Sequence, residues 1–97
     1  MTGMQTVWTM IWNRAALDPA GREPFEADEL TSAVASALKL PEADASRKVS
    51  ALLGELARMP DGRQYFTLEG RAIVPLAEFR MAARDEKTAL EAYPFEA

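Results

Sequence analysis

The chain contains neither cysteine nor histidine among its 97 residues. Without cysteine it can form no disulfide bond, and it offers no thiolate as a nucleophile or as a ligand for zinc or an iron–sulfur cluster. Without histidine it lacks the usual general base of enzymes and the commonest ligand of transition metals. An active site built only from carboxylates is conceivable, but so small a domain rarely also encloses a substrate pocket. We therefore expect neither an enzyme nor a bound metal or cofactor.

Positive charge is in short supply too. Eleven Lys and Arg residues stand against 15 Asp and Glu residues, which gives a net charge of −4 at pH 7. This sign disfavours a protein whose whole surface binds nucleic acid or an anionic membrane, although a local basic face is compatible with it. The uncharged N-terminal run ends at Arg14, too early for a bilayer span, and it lacks the cationic start of a secretory signal. We expect a cytoplasmic protein without a membrane partner.

Apolar residues, by contrast, make up 48% of the chain, enough for the core of a single domain over residues 1–97. Their spacing of three and four residues predicts helices over 3–17, 27–39 and 42–59, and a turn follows at 59–62. Trp8 and Trp12 share the apolar stripe of the first helix. A place in the core is therefore favoured for them over stacking on nucleic-acid bases.

The third predicted helix has two distinct sides. The side that we expect to be buried carries Ala45, Val49, Leu52, Leu53 and Leu56. The opposite, exposed side carries Arg47, Ser50, Ala51, Gly54 and Arg58. A glycine inside a helix costs roughly 1 kcal/mol relative to alanine. Gly54 therefore marks either a close approach by another group or a position where the helix tolerates the loss.

Two β-rich runs at 64–68 and 71–74 predict a hairpin, because residues 69–70 between them form a two-residue loop that contains glycine. This loop places Phe66 opposite Ile73 across the two strands.

The C-terminal segment, residues 76–93, is rich in helix-forming residues and predicts a helix from 76 to about 92. An apolar series at heptad spacing runs along it, with one charged interruption at Glu86. The series consists of Leu76, Phe79, Ala83, Leu90 and Tyr93. Two interpretations follow: the series forms the two-fold interface of a homodimer, or the helix folds back on the core of its own chain.

The order of the predicted elements is helix, short extended segment, helix, helix, hairpin, helix. Three stretches carry it: residues 25–30 (FEADEL), 45–56 (ASRKVSALLGEL) and 64–71 (QYFTLEGR). In this order and at this size, residues 4–76 resemble the winged helix-turn-helix family. The resemblance implies a mainly α fold with a small β-hairpin: a three-helix core, a two-stranded wing and an extra C-terminal helix. The alternative is a plain helical bundle that carries a hairpin.

The resemblance also implies a function. In DNA-binding members of the family the third helix enters the major groove and the wing contacts phosphates. Carried over to this chain, the contacts with double-stranded DNA are Ser46, Arg47, Lys48 and Ser50 on the helix, and Arg63 and Arg71 on the wing. We therefore expect a DNA-binding transcription regulator that acts as a homodimer.

The charge around these contacts favours a second function. Residues 41–75 carry five basic and five acidic side chains, and Glu69 lies at the predicted tip of the wing. A neutral surface with a glycine notch at Gly54 suits a protein partner better than it suits phosphates. The alternative is thus a winged helix used as a protein–protein interaction module or adaptor subunit.

Overall fold

The computed structural model describes residues 1–59 and 63–95, so residues 60–62 of the predicted turn lie outside the described part. The elements in chain order are α1 (Gly3–Ala15), β1 (Phe25–Glu26), α2 (Asp28–Leu38), α3 (Glu42–Leu56), β2 (Phe66–Glu69), β3 (Ala72–Pro75) and α4 (Ala77–Arg84). The coarse fold class, mainly α with a small β-hairpin, is confirmed. None of these helices combines the length and the apolar composition needed to cross a membrane.

The first three helices begin and end within three residues of their predicted bounds, because local hydrogen bonds fix their ends. Thr2 caps α1: its Oγ1 accepts the N–H of Gln5 at 3.1 Å, and the Gln5 Oε1 accepts the N–H of Thr2 at 2.8 Å. At the end of α2, Lys39 adopts a left-handed conformation (φ 56°). The N–H of Leu40 then donates to the carbonyl of Ala35 at 3.0 Å, which closes the helix as in a Schellman motif.

The two predicted sides of α3 are confirmed. Its five stripe residues are all buried, whereas the five residues of the opposite side are exposed. The stripe packs into a core that α1 completes with two fully or nearly buried tryptophans, Trp8 and Trp12. The ring of Trp12 lies 4.8 Å from that of Phe79 in an edge-to-face arrangement, and 5.7 Å from that of Trp8. The interpretation of both tryptophans as core residues is confirmed.

The predicted hairpin is present, but its register differs. The loop is residues 70–71 instead of 69–70, so Phe66 faces Pro75 and Ile73 faces Leu68. A tight two-residue loop favours a positive φ at its first position, which Gly70 (φ 62°) supplies without the steric cost that Glu69 would incur there. The new loop moves each pairing by two residues, so both sets of side chains keep their faces.

The third strand of the sheet is the short extended segment before α2. Strand β1 pairs antiparallel with β3, with Phe25 opposite Ile73, and gives the sheet order β1-β3-β2. Phe25, Ile73 and Phe66 are all buried, so one face of the sheet closes the core under the helices.

The prediction of one long C-terminal helix is wrong beyond Arg84. Glu86 takes a left-handed conformation (φ 58°) and its N–H donates to the carbonyl of Ala83 at 3.1 Å. The N–H of Lys87 donates to the carbonyl of Ala82 at 3.0 Å, which completes a Schellman motif and ends α4. Glu86, the charged interruption in the heptad series, is therefore the residue whose left-handed backbone ends α4 after Arg84.

Without a continuous helix, the apolar series does not form one stripe. Phe79 is fully buried in the core of its own chain, which leaves it no surface for a second chain. Ala83 and Leu90 are exposed, and Leu76 and Tyr93 are half-buried. The segment after α4 folds back over α1, as in the second interpretation.

One hydrogen bond anchors this segment. The Nε1–H of Trp8 donates to the carbonyl of Ala89 at 2.7 Å inside the core, and Ala89 and Ala92 are buried. A buried indole N–H without a partner would be costly. Trp8 therefore fixes the path of the last residues over the core.

Candidate nucleic-acid interface

An open cleft of about 230 Å³ lies between α2, α3 and the loop of the hairpin. Ser46 and Ser50 line it from α3, Thr31 lines it from α2, and Gly70 and Arg71 line it from the loop. The two serines are four residues apart and share one edge of the helix. Three of the six predicted contact residues are thus brought together: Ser46, Ser50 and Arg71.

A carboxylate lies beside the arginine of this cleft. Asp28, the first residue of α2, also lines the cleft, and its Oδ2 is 3.4 Å from Nη1 of Arg71. Both side chains are more than half exposed, at 62% and 82%. Ion pairs this exposed contribute about 0–1 kcal/mol, so Arg71 can turn to another anion at little cost.

Arg47 and Lys48 lie on a neighbouring part of the surface. Together with Leu40, Asp44 and Ala51 they line a separate shallow depression. Successive residues of an α-helix are about 100° apart, so Lys48 is about 200° from Ser46 around the axis of α3. The cations of α3 therefore lie beside the cleft and do not enter it.

Arg47 forms an ion pair with Asp44, one turn earlier on the same helix. Near the end of α3, Arg58 Nη1 lies 2.8 Å from Glu55 Oε1 in a second pair of this kind. The exposed side of α3 consequently alternates cation and carboxylate and has no net field of one sign.

The structure separates Arg63 from the other predicted contacts. Arg63 is exposed and precedes β2, whereas Arg71 follows it, so the two lie at opposite ends of that strand. Arg63 lines another opening, formed with Tyr65 and with Tyr93 and Phe95 of the C-terminal segment. Of the two arginines predicted to contact phosphates, only Arg71 therefore lines the cleft.

The remaining features of this face are small or acidic. Apart from its chain neighbours and the backbone of its own helix, no atom of the described chain lies within 4 Å of the position that a Cβ on Gly54 would occupy, so Gly54 serves no close packing against another element. Glu69 is exposed, but it is the last residue of β2, beside the loop and not, as predicted, within it.

The sequence prediction missed Asp28 and Thr31. These residues are three positions apart on the first turn of α2, so they share a face of that helix. Their spacing indicates in the sequence that they share a face. That this face lines a cleft follows only from the position of α2 beside the hairpin loop.

Among residues 1–59 and 63–95, no group of three acidic side chains is arranged to hold a metal ion. Comparison with known protein families, with curated proteins and with solved structures gives no match for this chain. A functional proposal must therefore rest on the geometry and the chemistry of the surfaces described above.

Proposed function

We propose that the chain is a winged helix-turn-helix protein that binds double-stranded DNA through α3 and the hairpin, and that it regulates transcription as a homodimer. The observation that carries the proposal is the convergence of Ser46, Ser50 and Arg71 on one open cleft. Serine hydroxyl groups donate hydrogen bonds to phosphate oxygens and form hydrogen bonds with base edges. Arginine is the common partner of phosphate oxygens.

The order of the elements supports the same proposal. The helix, short strand, two helices and hairpin on which the family resemblance rests are all present in that order. The exposed side of α3 also carries two residues with little or no side chain, Ala51 and Gly54. A helix with such a surface can lie deep in a major groove, which is about 12 Å wide.

The charge distribution sets the expected strength of binding. Arg47 and Arg71 can exchange an exposed carboxylate for a phosphate, but Asp44 and Asp28 stay beside the DNA and repel it. We therefore expect weak binding that falls steeply with salt. If the four cations Arg47, Lys48, Arg63 and Arg71 of both protomers contact phosphates, the slope of log affinity against log salt is no steeper than about −7.

Fluorescence anisotropy on labelled random and genomic duplexes at two salt concentrations tests the proposal. Arg71→Gln should weaken binding to all duplexes alike and flatten the salt slope by about 0.9 for each lost contact. Ser50→Ala should reduce the preference among sequences with little change in slope. Lys87→Gln, which removes a cation that belongs neither to α3 nor to the lining of the cleft, is the matched control. Absence of binding at low salt would refute DNA binding, and equal losses for Arg71→Gln and Lys87→Gln would refute this face as the contact surface.

The homodimer has its own test. Leu90 is 49% exposed and is the largest exposed member of the apolar series after α4. Light scattering at tens of micromolar should give a dimer for the wild type and a monomer for Leu90→Asp. Leu17→Asp changes an exposed leucine outside the series and should leave the dimer intact. A monomeric wild type would remove the dimer from the proposal and leave the DNA contacts to be judged separately.

One observation favours a protein partner as the second candidate. Carboxylates accompany the cations of this face, at Asp28, Asp44 and Glu69, and Gly54 faces open space. A protein surface can match such a mosaic of charges, whereas DNA offers phosphates alone. Gly54→Arg should abolish capture of a defined partner without unfolding the chain. Retained capture by Gly54→Arg would exclude this face as the docking surface.

A further inference from the structure

A second open cleft lies at the C-terminal end of α1, between the loop that follows this helix and α4. Its volume is about 550 Å³, within the range of roughly 300–1,000 Å³ found for small-molecule sites. Its lining includes three arginines and one aspartate: Arg22, Arg80, Arg84 and Asp18.

The three arginines come from two walls. Arg80 and Arg84 are one turn apart on α4 and share a face of it, and Arg22 lies in the facing loop. Within the described residues none of the three has a carboxylate oxygen within 4 Å, unlike Arg47 and Arg71 on the other face. One Nη of Arg80 donates to the carbonyl of Pro75 at 3.3 Å, which holds the guanidinium in place and leaves its other N–H groups for a ligand.

Asp18 forms no ion pair with these arginines, because its oxygens accept hydrogen bonds from the backbone of its own loop. Its Oδ1 accepts the N–H of Ala20 at 3.1 Å, and its Oδ2 accepts the N–H groups of Arg22 at 2.9 Å and Glu23 at 2.8 Å. These bonds, with that of Arg22 the strongest, hold the pKa of Asp18 below its ordinary value, so the group stays ionised. The titratable lining thus carries three positive charges and one negative charge, a net charge of about +2 near neutral pH.

Gly21 lets the loop lie directly against α4. Its backbone is left-handed (φ 64°), and a Cβ placed on it would lie 3.1 Å from Cγ of Arg80 and 3.3 Å from a ring carbon of Phe79. The loop is therefore fixed both by the bonds to Asp18 and by this close packing. A cleft whose walls are already ordered loses less entropy when a ligand binds.

We propose that this cleft binds the phosphomonoester group of a small metabolite through Arg22, Arg80 and Arg84. A phosphomonoester carries a charge of about −1.5 to −2 at pH 7 and three acceptor oxygens. That charge matches the net charge of the lining, and the planar fork of arginine fits phosphate oxygens in pairs. A carboxylate carries half the charge and has two oxygens, so it leaves one arginine without a partner.

Among the described residues, this cleft shares no lining residue with the cleft that carries the proposed DNA contacts. Gly3 and Met4, at the start of α1, adjoin Lys48 of α3, whereas Ala16, just after the end of α1, lines the arginine cleft. At about 1.5 Å of rise per residue, these two ends are about 20 Å apart. Because the two proposals use different residues, the failure of one does not decide the other.

The site can be tested by titrating the full chain with three ligands: inorganic phosphate, a nucleoside monophosphate and the uncharged nucleoside. Binding is measured by amide NMR and by calorimetry. We expect both phosphates to shift the amides of residues 18–22 and 80–84, and the nucleoside to shift none. Tighter binding of the nucleotide than of inorganic phosphate supports an ester-binding site, and equal binding supports recognition of the phosphate group itself. Absence of shifts at millimolar phosphate, or equal shifts from the nucleoside, overturns the proposal.

Variants of α4 connect the binding to the arginines. Arg84 is exposed, so Arg84→Gln should keep the thermal midpoint while weakening phosphate binding about tenfold, as loss of a charge-assisted hydrogen bond implies. Arg84→Lys keeps the charge but loses the fork, so we expect an intermediate loss. Arg58→Gln, a change of the same type on α3, is the control. Equal affinities for Arg84→Gln, Arg58→Gln and the wild type would exclude the site.

Discussion

Two faces of this molecule carry arginines, and they differ in where the carboxylates lie. On the α3 face, Arg47 and Arg71 each have an aspartate beside them. In the cleft beside α4, the carboxylate of Asp18 is hydrogen-bonded to the backbone of its own loop, and within the described residues no carboxylate oxygen lies within 4 Å of the arginines. A chain with a net charge of −4 can therefore still present a local field of the opposite sign. The hydrogen-bond partners of the carboxylates decide which face attracts an anion.

The largest loss of stability should come from a substitution in the core on which both faces rest. Leu53 on α3 is 3% exposed, so Leu53→Ala should lower the free energy of unfolding by about 2–5 kcal/mol. Because both faces rest on one core, the variant should lose DNA and phosphate binding together as it unfolds in urea. Ser50→Ala on the exposed side should stay within about 0.5 kcal/mol of the wild type. A loss that small for Leu53→Ala would show that the stripe of α3 does not support the fold.

Alanine substitutions at two glycines, one on each face, should have the next largest effect on stability, and the size of that effect should differ between the faces. Gly21 and Gly70 are both left-handed, so alanine at either position costs about 1–2 kcal/mol of backbone strain. Only at Gly21 does the added Cβ meet other atoms, at 3.1 Å and 3.3 Å, whereas nothing lies within 4 Å of it at Gly70. Gly21→Ala should therefore cost about 1–3 kcal/mol more than Gly70→Ala in urea melts. Equal costs would mean that the loop moves away from α4 without loss.

The smallest expected effect is a change of thermal stability at acidic pH. The pKa of Asp18 is lowered in the folded chain by three backbone N–H groups. Its stabilising contribution is therefore fully present above the unfolded pKa of about 3.9, and it disappears as the pH falls through the folded value. The thermal midpoint of Asp18→Asn should lie below that of the wild type at pH 7, and the difference should shrink towards about pH 3. A difference that does not change with pH would contradict this role of Asp18.

The spacing of apolar residues was sufficient to predict the helices that form the core. In α3, Val49 and Leu53 alternate with exposed Arg47 and Ser50 at a period that no strand shares. The C-terminal segment misled the same reasoning, because Phe79 and Leu90 fit one heptad series although the helix ends between them. The residues from Thr88 to Glu91 were the missed signal: they bond reciprocally as a capping box, a motif that begins a helical turn.

The candidate sites could be predicted only in part, since they join residues that are distant in sequence. Ser46 and Ser50 are visible as a pair on one helix edge, but their partner Arg71 depends on how the hairpin packs against α3. Arg22 and Arg84 are even further apart in the chain, and nothing in the spacing of either residue indicates that they share a cleft. Tertiary packing supplies this information, and periodicity does not contain it.

The hydrogen bond from Trp8 to Ala89 joins residues that are 81 positions apart. Closing a loop of this length costs more chain entropy than forming a local contact, and contacts of such long range slow folding. During synthesis, α1 leaves the ribosome well before Ala89 does, so the indole N–H of Trp8 lacks this acceptor until Ala89 emerges. Nascent chains stalled before Ala89 should accordingly be degraded or bound by chaperones, because their core lacks the segment that covers α1.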